Sequence, residues 1–542
     1  MGLFNRTKTP KTPSPVDTSE HDDLLKRKGE PRALDWIERN AMLYPNQTAQ
    51  IDLASGRRFT YTQMNDRVGR AAALLHGMGV RPGDRVGFLA MNSTDILEMV
   101  FATWRLGAIS LALNFRLTAK ELCFIVNDAG PKVILFDQVF LDVVEALQAD
   151  TTVAHWLLTD GLGGGSAYES GLAAIDAPLL AKTHEQPLSD QCMLMYSSGT
   201  TGQPKGVIIT HEMMVYSAVN LLGGLSLTRN SVNFAVMPLF HIGGLNIFSC
   251  PVLYVGGTTV IQRSFEPGEA LRVFGDRDLG ITHFLGVPAI YNALKAHPDN
   301  ATTDFSRVEV MLAGAEAVPN ALVEWWQQRG LTIQEGYGMT ESAASNCVLD
   351  KADVATMVGS AGKAAMHTEM KIVREDGCDA APGELGEIWM RGPAITPGYW
   401  NRPEANAKSF SGGWFRSGDI GRVDERGYFF IEDRLKDMYI SGGENVYPAE
   451  IENVLYGMDQ IAEVAVIGVP DSQWGEVGCA VIALKPGQSL DLSDIGAFVQ
   501  GKLASFKQPR HVAFVEALPR NATGKVLKFQ LRTTIPETLT LQ

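Results

Sequence analysis

Tyr196-Ser197-Ser198-Gly199-Thr200-Thr201-Gly202-Gln203-Pro204-Lys205-Gly206 decides how the rest of the chain is read. The short apolar run Cys192-Met193-Leu194-Met195 precedes it. It holds four aliphatic hydroxyls and three glycines in eleven residues. Backbone amides and hydroxyls in such a loop can wrap a polyphosphate, and Lys205 adds a positive charge. A Walker A loop needs GxxxxGK followed by Ser or Thr, and this spacing does not fit it. The P-loop NTPase reading is therefore set aside.

Working outward, short β-rich runs alternate with amphipathic stretches. RFTYTQMNDRVGRAAALLHGMGV reads as a strand and then a helix ended by glycine. DRVGFLAMN, AISLALNF and KVILFD read as strands, and ILEMVFATWRLG as a helix. THFLGVPAIYNAL and VEVMLAGA continue the rhythm. Such alternation predicts parallel α/β layers. Near residue 430 the texture changes. YFFI, MYIS, EVAVIGV, GCAVIAL and HVAFVEAL read as short strands, with helices at PAEIENVLYGM and LSDIGAFVQGKLA. The predicted fold class is α/β: a large N-terminal domain of several subdomains over 33–435, and a small, mobile α+β C-terminal domain over 436–542. Residues 1–32, rich in proline, threonine and mixed charge, are expected to be a disordered tail. Leu222-Gly223-Gly224-Leu225-Ser226 looks like a carrier-protein attachment motif, but no room for a carrier surrounds it; it reads as a glycine turn after a helix.

Composition narrows the function. The 542 residues are 45% hydrophobic and carry a net charge of −14, which argues against a general nucleic-acid partner. The six cysteines form no CxxC pair, so neither a disulfide framework nor a zinc site is indicated. No run of 18 apolar residues marks an integral membrane segment. A cytoplasmic location is expected, with peripheral membrane contact and homodimer formation left open.

Further motifs lie along the chain. Pro238-Leu239-Phe240-His241-Ile242-Gly243-Gly244-Leu245 sets a histidine among apolar residues. Gln334-Glu335-Gly336-Tyr337-Gly338-Met339-Thr340-Glu341 carries an aromatic ring that can stack on a base, a hydroxyl, and a hard oxygen ligand suited to Mg²⁺. Ala313-Gly314-Ala315-Glu316, Trp414-Phe415-Arg416-Ser417-Gly418-Asp419 and Pro519-Arg520-Asn521-Ala522-Thr523-Gly524-Lys525 complete the set. Residues 502–532 hold seven Lys or Arg against Glu516, a local net charge of +6 that suggests a rim for polyanions.

These motifs, in this order from about residue 33 to 532, resemble the adenylate-forming, AMP-binding superfamily, and most of all bacterial fatty-acyl-CoA synthetases. The resemblance implies an AMP-forming acid–CoA ligase. It would use ATP, Mg²⁺ and coenzyme A, with a medium- or long-chain fatty acid as the first expectation. An aromatic (cinnamate-type) or steroid side-chain acid is the alternative, and a non-catalytic nucleotide sensor the alternative from another class. It implies that Ser197, Ser198, Gly199, Thr200, Thr201, Gly202 and Lys205 hold the phosphates of ATP. Gly314, Ala315, Glu316, Glu335, Gly336 and Tyr337 would border the adenine, while Asp419 and Arg434 take the ribose. Lys525, His241, Thr340 and Glu341 would be catalytic, with Glu341 as the metal ligand. Lys436 would be the hinge. Ser441, Gly442, Gly443, Trp474 and Phe506 would meet CoA. His241, Gly243, Gly244, Leu245, Val287 and Gly338 would wall the acyl pocket, whose small residues suggest room.

Overall fold

Local signals set the first elements. The Thr60 hydroxyl accepts from Gln63 N–H and the Gln63 side chain accepts from Thr60 N–H, closing the start of the helix Tyr61–Gly77. Thr118 and Glu121 do the same for Ala119–Ala129, which ends at Gly130 with φ 59°. The computed structural model describes residues 31–182, 185–197, 204–314, 318–434, 437–441, 444–471, 473–520 and 526–539. Residues 31 and 32, expected in the tail, are already joined to the domain. Leu188 N–H donates to the Pro31 carbonyl at 2.9 Å, and Arg32 pairs with Glu185.

Two sheets carry the large domain. In one, six strands run His155–Thr159, Val133–Asp137, Arg85–Leu89, Ile109–Ala112, Gln191–Ser197, Lys205–Thr210, all parallel except the last. In the other, nine strands include the parallel run Ile333–Tyr337, Val310–Ala313, His283–Gly286, Val232–Ala235, Thr258–Ile261 and Thr48–Asp52. Their residues are near-continuously apolar and buried, as strands covered on both faces must be. The helix His211–Gly224 ends at the glycine turn, with Ser226 at φ 51°, so Leu222–Ser226 is a helix end.

A third sheet of five strands was not foreseen: Glu369–Val373, Gly386–Arg391, Trp414–Val423, Phe410–Ser411 and Phe429–Arg434. The short strand read at Tyr428–Ile431 belongs here, since Phe429–Arg434 pairs antiparallel with Trp414–Val423.

A buried ionic network ties the two large sheets together. Arg57 holds Asp95 at 2.9 Å and Glu169 at 2.8 Å, and Arg67 holds Glu98 and Glu169 at 2.6 Å each. Thr159 donates to Asp95 at 2.5 Å and Tyr168 to Glu98 at 3.0 Å. Burial and the negative charge of Glu98 push the Asp95 carboxyl up to about 6, against the pull of Arg57 and the Thr159 hydroxyl. A carboxyl whose pKa rises on folding keeps its proton in the fold after the unfolded chain has lost it. Stability from this group is therefore full below the ordinary aspartate value of 3.8 and falls as pH rises towards about 6. Asp95→Asn should flatten the dependence of melting temperature on pH across that window; an unchanged slope in a thermal-melt series would refute the assignment.

The C-terminal unit packs the strands Tyr439–Ser441, Glu444–Val446, Ile461–Asp471, Gly475–Leu484 and His511–Phe514 with helices Pro448–Leu455, Leu492–Val499 and Lys528–Leu539. Here the local +6 reads differently. Lys507 pairs with Glu450 at 2.7 Å, Arg520 with Glu463 at 2.9 Å, Lys528 with Glu452 at 2.8 Å and Arg532 with Asp437 at 2.9 Å. Four of the seven cations are thus neutralised by acids that lie outside the counted segment. No described helix is long and apolar enough to cross a membrane.

Candidate active site

The two ends of the phosphate-loop motif lie on paired strands. Gln191–Ser197 pairs antiparallel with Lys205–Thr210, and Ser197 stands opposite Lys205. Ser198, Gly199, Thr200, Thr201 and Gly202 lie outside the described residues. So do Ala315, Glu316, Lys436, Gly442, Gly443 and Lys525, as does the side chain of Arg434. The hairpin base is fixed on one side by Tyr196, whose hydroxyl donates to Asp128 at 2.6 Å. On the other side lies Thr396–Trp400. Ile208 N–H donates to the Gly398 carbonyl at 3.0 Å, and Trp400 N–H to the Gly206 carbonyl at 2.7 Å.

That same segment reaches the second motif. Thr396 N–H donates to the Glu341 carbonyl at 2.7 Å, and the Tyr399 hydroxyl donates to Glu341 Oε1 at 2.9 Å. Lys205 Nζ lies 5.3 Å from the centroid of the Tyr399 ring. Tyr399 therefore touches both the loop lysine and the buried Glu341 carboxylate. Sequence reading missed it. A partner 58 positions from Glu341 leaves no local pattern.

Tyr196, His241 and Thr340 come together on one small cavity of about 40 Å³, with Asn114, Leu117 and Phe240 also in its wall. His241 is half-buried among apolar side chains, and loss of hydration pushes its ring down to about 4, so it is neutral near pH 7. Its Nδ1 accepts from Gly243 N–H at 3.2 Å, which leaves the ring proton on Nε2 as a donor. Asn114, fixed in a turn by Arg116 N–H donating to its Oδ1 at 3.0 Å, is a wall residue that the motifs did not mark.

Asp419 and Arg434, fifteen apart in sequence, are cross-strand partners on adjacent strands. Tyr337 donates from its hydroxyl to Asp419 Oδ2 at 2.7 Å, linking the QEGYGMTE strand to the WFRSGD strand. Burial and the Asp419 charge push the Tyr337 phenol well up. Ser417 Oγ accepts from the Asp419 N–H at 3.0 Å and steadies the carboxylate-bearing residue.

Other expectations change. Glu335, assigned to the nucleotide, has a carboxylate that accepts from the backbone of Gly359 and Val318, and burial pushes it up to about 7. It holds loops together. Gly244 and Gly338 are small for a packing reason and not to leave room. A methyl on Gly244 would overlap the Pro238 carbonyl, and one on Gly338 the backbone of Ala344. Gly243 is looser, its nearest neighbour being the His241 ring at 3.3 Å. Gly314 and Gly336 sit against each other, 3.2 Å from a notional Cβ on Gly314 to the Gly336 carbonyl. Leu245 and Val287 are buried core. Ser441 is buried on a strand, opposite Gly475. Phe506 and Trp474 both pack partly against the C-terminal core, with Arg510 lying 5.4 Å above the Trp474 ring.

Paired strands that carry the two ends of the phosphate-loop motif, a buried carboxylate joined through Tyr399 to Lys205, and an Asp–Tyr pair define a nucleotide-using α/β enzyme. Comparison with known proteins gives its family. The AMP-binding enzyme profile matches residues 37–400, and that of the AMP-binding enzyme C-terminal domain matches 450–525. A feruloyl-CoA synthase of Amycolatopsis sp is 39% identical over 92% of this chain and 98% of its own. The long-chain-fatty-acid–CoA ligase FadD13 of Mycobacterium tuberculosis is 36% identical over 92% and 97%. The crystal structure of ATP-bound MatB from Rhodopseudomonas palustris superposes with a TM-score of 0.85 at 30% identity, over 93% of this chain and 99% of that one. The chain belongs to the AMP-binding enzyme family, as an AMP-forming acyl-CoA synthetase.

Proposed function

We propose that the chain converts a carboxylic acid, ATP and CoA into acyl-CoA, AMP and diphosphate through an acyl-adenylate, with 33–435 as the adenylating unit and 436–542 as a mobile unit. The observation that carries this is the convergence of Tyr196, His241 and Thr340 on one cavity, beside a Glu341 joined through Tyr399 to Lys205.

A carboxylate resists nucleophiles because it is charged and oxide cannot leave. Its oxygen attacks the α-phosphorus of ATP, the bond to the β-phosphate oxygen breaks, and diphosphate departs. No general base is needed, since the nucleophile is already an anion. The Ser197–Lys205 loop holds the β- and γ-phosphates, Thr340 donates to the α-phosphate and Asp419 accepts from the ribose hydroxyls. Lys525 bridges the carboxylate and α-phosphate as charge moves. Neutral His241 offers its Nε2 proton to the acid. In the second half-reaction the CoA sulfur attacks the acyl carbon, AMP leaves, and the thiol proton passes to solvent. Rotation about Lys436 brings the 441–443 segment to the thiol.

Among the described residues no cluster of three or more His, Cys, Asp or Glu could hold a metal. Glu341 alone suits Mg²⁺ arriving on ATP, which takes one or two carboxylates plus phosphate oxygens. When bound, the ion neutralises charge on the phosphates. The six free cysteines fit a reducing cytoplasm.

The test is pyrophosphate release by the purified protein with ATP, magnesium, CoA and a broad panel of acids. Release with acyl-CoA appearing in step is expected. Nucleotide binding with no turnover on any acid would favour the sensor reading.

A further inference from the structure

The last turn of a helix favours a cation, because the helix dipole is negative there. The helix Ala119–Ala129 carries Asp128 in that place, and no basic residue of its own. A cation is brought from the strand Arg85–Leu89 instead. Arg85 donates from Nε to the Ala129 carbonyl at 2.7 Å and from Nη2 to the Gly130 carbonyl at 2.9 Å. Helix stability therefore does not account for Asp128. Its partners do.

Three groups far away in sequence donate to this one residue. The Tyr196 hydroxyl reaches Oδ2 at 2.6 Å, the Arg402 guanidinium reaches Oδ1 at 3.0 Å, and the Trp400 indole N–H reaches the backbone carbonyl at 3.2 Å. The first has the length of a charge-assisted O–H···O⁻ bond, and both carboxylate oxygens are engaged. Burial, and then the bond to Asp128, pushes the Tyr196 phenol up, so the proton stays on tyrosine.

These contacts meet the phosphate-loop motif at both of its ends. Tyr196 immediately precedes Ser197, and Gly206 follows Lys205. The two flanks are cross-strand partners, Tyr196 opposite Gly206. A methyl on Gly206 would come 3.0 Å from Cζ of the Tyr196 ring, so ring and backbone are in close register. Trp400, whose indole touches Asp128, donates its backbone N–H to the Gly206 carbonyl at 2.7 Å. Arg85 lies 5.6 Å from the centroid of the Trp400 ring. Next to Trp400, Tyr399 reaches Lys205 and Glu341. Asp128 thus holds one flank through a side chain and the other through the 399–402 segment. It lies in none of the nucleotide motifs, so nothing local marks it.

We propose that Asp128 is a positioning residue for ATP. By gripping Tyr196 on one side and Trp400 and Arg402 on the other, it sets the spacing of the two ends of the phosphate loop, and with it the affinity for the β- and γ-phosphates. This rests on the reading that Ser197–Lys205 holds those phosphates. AMP lacks them, and its ribose and phosphate are left to Asp419 and Thr340, so AMP does not depend on the grip.

The experiment is calorimetry of the full chain and its variants with ATP plus magnesium, and separately with AMP. Asp128→Ala should weaken ATP binding about tenfold or more while AMP binding stays within about twofold, and the KM for ATP in pyrophosphate release should rise in step. Asp128→Asn keeps one acceptor oxygen for two donors and should fall between. Tyr196→Phe keeps the ring and removes one hydroxyl. It should weaken ATP binding in the same sense, and it decides the matter if Asp128→Ala does not fold. The double variant should bind ATP no more weakly than Asp128→Ala alone, since the Tyr196 contact is already gone. Unchanged ATP binding in these variants, or equal weakening of ATP and AMP, would overturn the inference. So would a double variant whose loss is the sum of the single losses. Binding is read without turnover. A parent protein that releases pyrophosphate with no acid would defeat the ligase reading, and the two affinities would still decide this one.

Discussion

Lys525→Ala should lower pyrophosphate release by at least about 10²–10³-fold, the usual cost of removing a preorganised charge contact at a transition state. Thioester formation from supplied acyl-AMP and CoA should continue. The reason is a division of labour. In the first half-reaction, negative charge accumulates between the attacking carboxylate and the α-phosphate, and a single ammonium can meet both. In the second, charge leaves the acyl carbon with AMP, and the thiol must approach from a side that the lysine would crowd. Two assays separate the steps: acid-dependent release of pyrophosphate, and conversion of synthetic acyl-AMP to acyl-CoA. Equal loss in both would reject a two-position C-terminal unit.

The second large effect is expected at Glu341. Glu341→Gln keeps the shape and keeps an oxygen for the Tyr399 hydroxyl, now 2.9 Å from Oε1. Only the negative charge goes. Adenylation should fall about 10²–10³-fold, and the magnesium concentration for half-maximal pyrophosphate release should rise. Calorimetry of ATP binding in the presence of magnesium gives a readout apart from turnover, and binding should weaken there too. Tyr399→Phe keeps the ring beside Lys205 but drops the hydroxyl, so it should shift the magnesium requirement in the same direction by less. A Glu341→Gln protein with the parent's magnesium curve would remove Glu341 from that role.

Much of this was legible in the residues. The strands and helices of the large domain follow apolar periodicity. Asp419 and Arg434 could be paired only through the family resemblance, since fifteen residues separate them; in the fold a turn at Asp424–Gly427 sets their strands side by side. The sheet built from residues 369–434 was not legible. Its strands carry charged residues such as Lys371, Arg391 and Arg416 on one face, which breaks up the apolar runs that mark a strand. Tyr399 was missed for a different reason: its contacts come from folding alone. The glycines misled in the opposite direction. At positions 244 and 338 a missing side chain looked like space for substrate, whereas backbone fills it. The basic run near the C-terminus misled because counting along the chain cannot see acids that arrive from strands and helices elsewhere.

Those acids have a practical meaning. Glu450, Glu452, Glu463 and Asp437 all lie within the same C-terminal unit as the cations they pair with. These four ion pairs are internal to it. A chimera that grafts this unit onto another ligase's large domain would carry those four counterions across the splice.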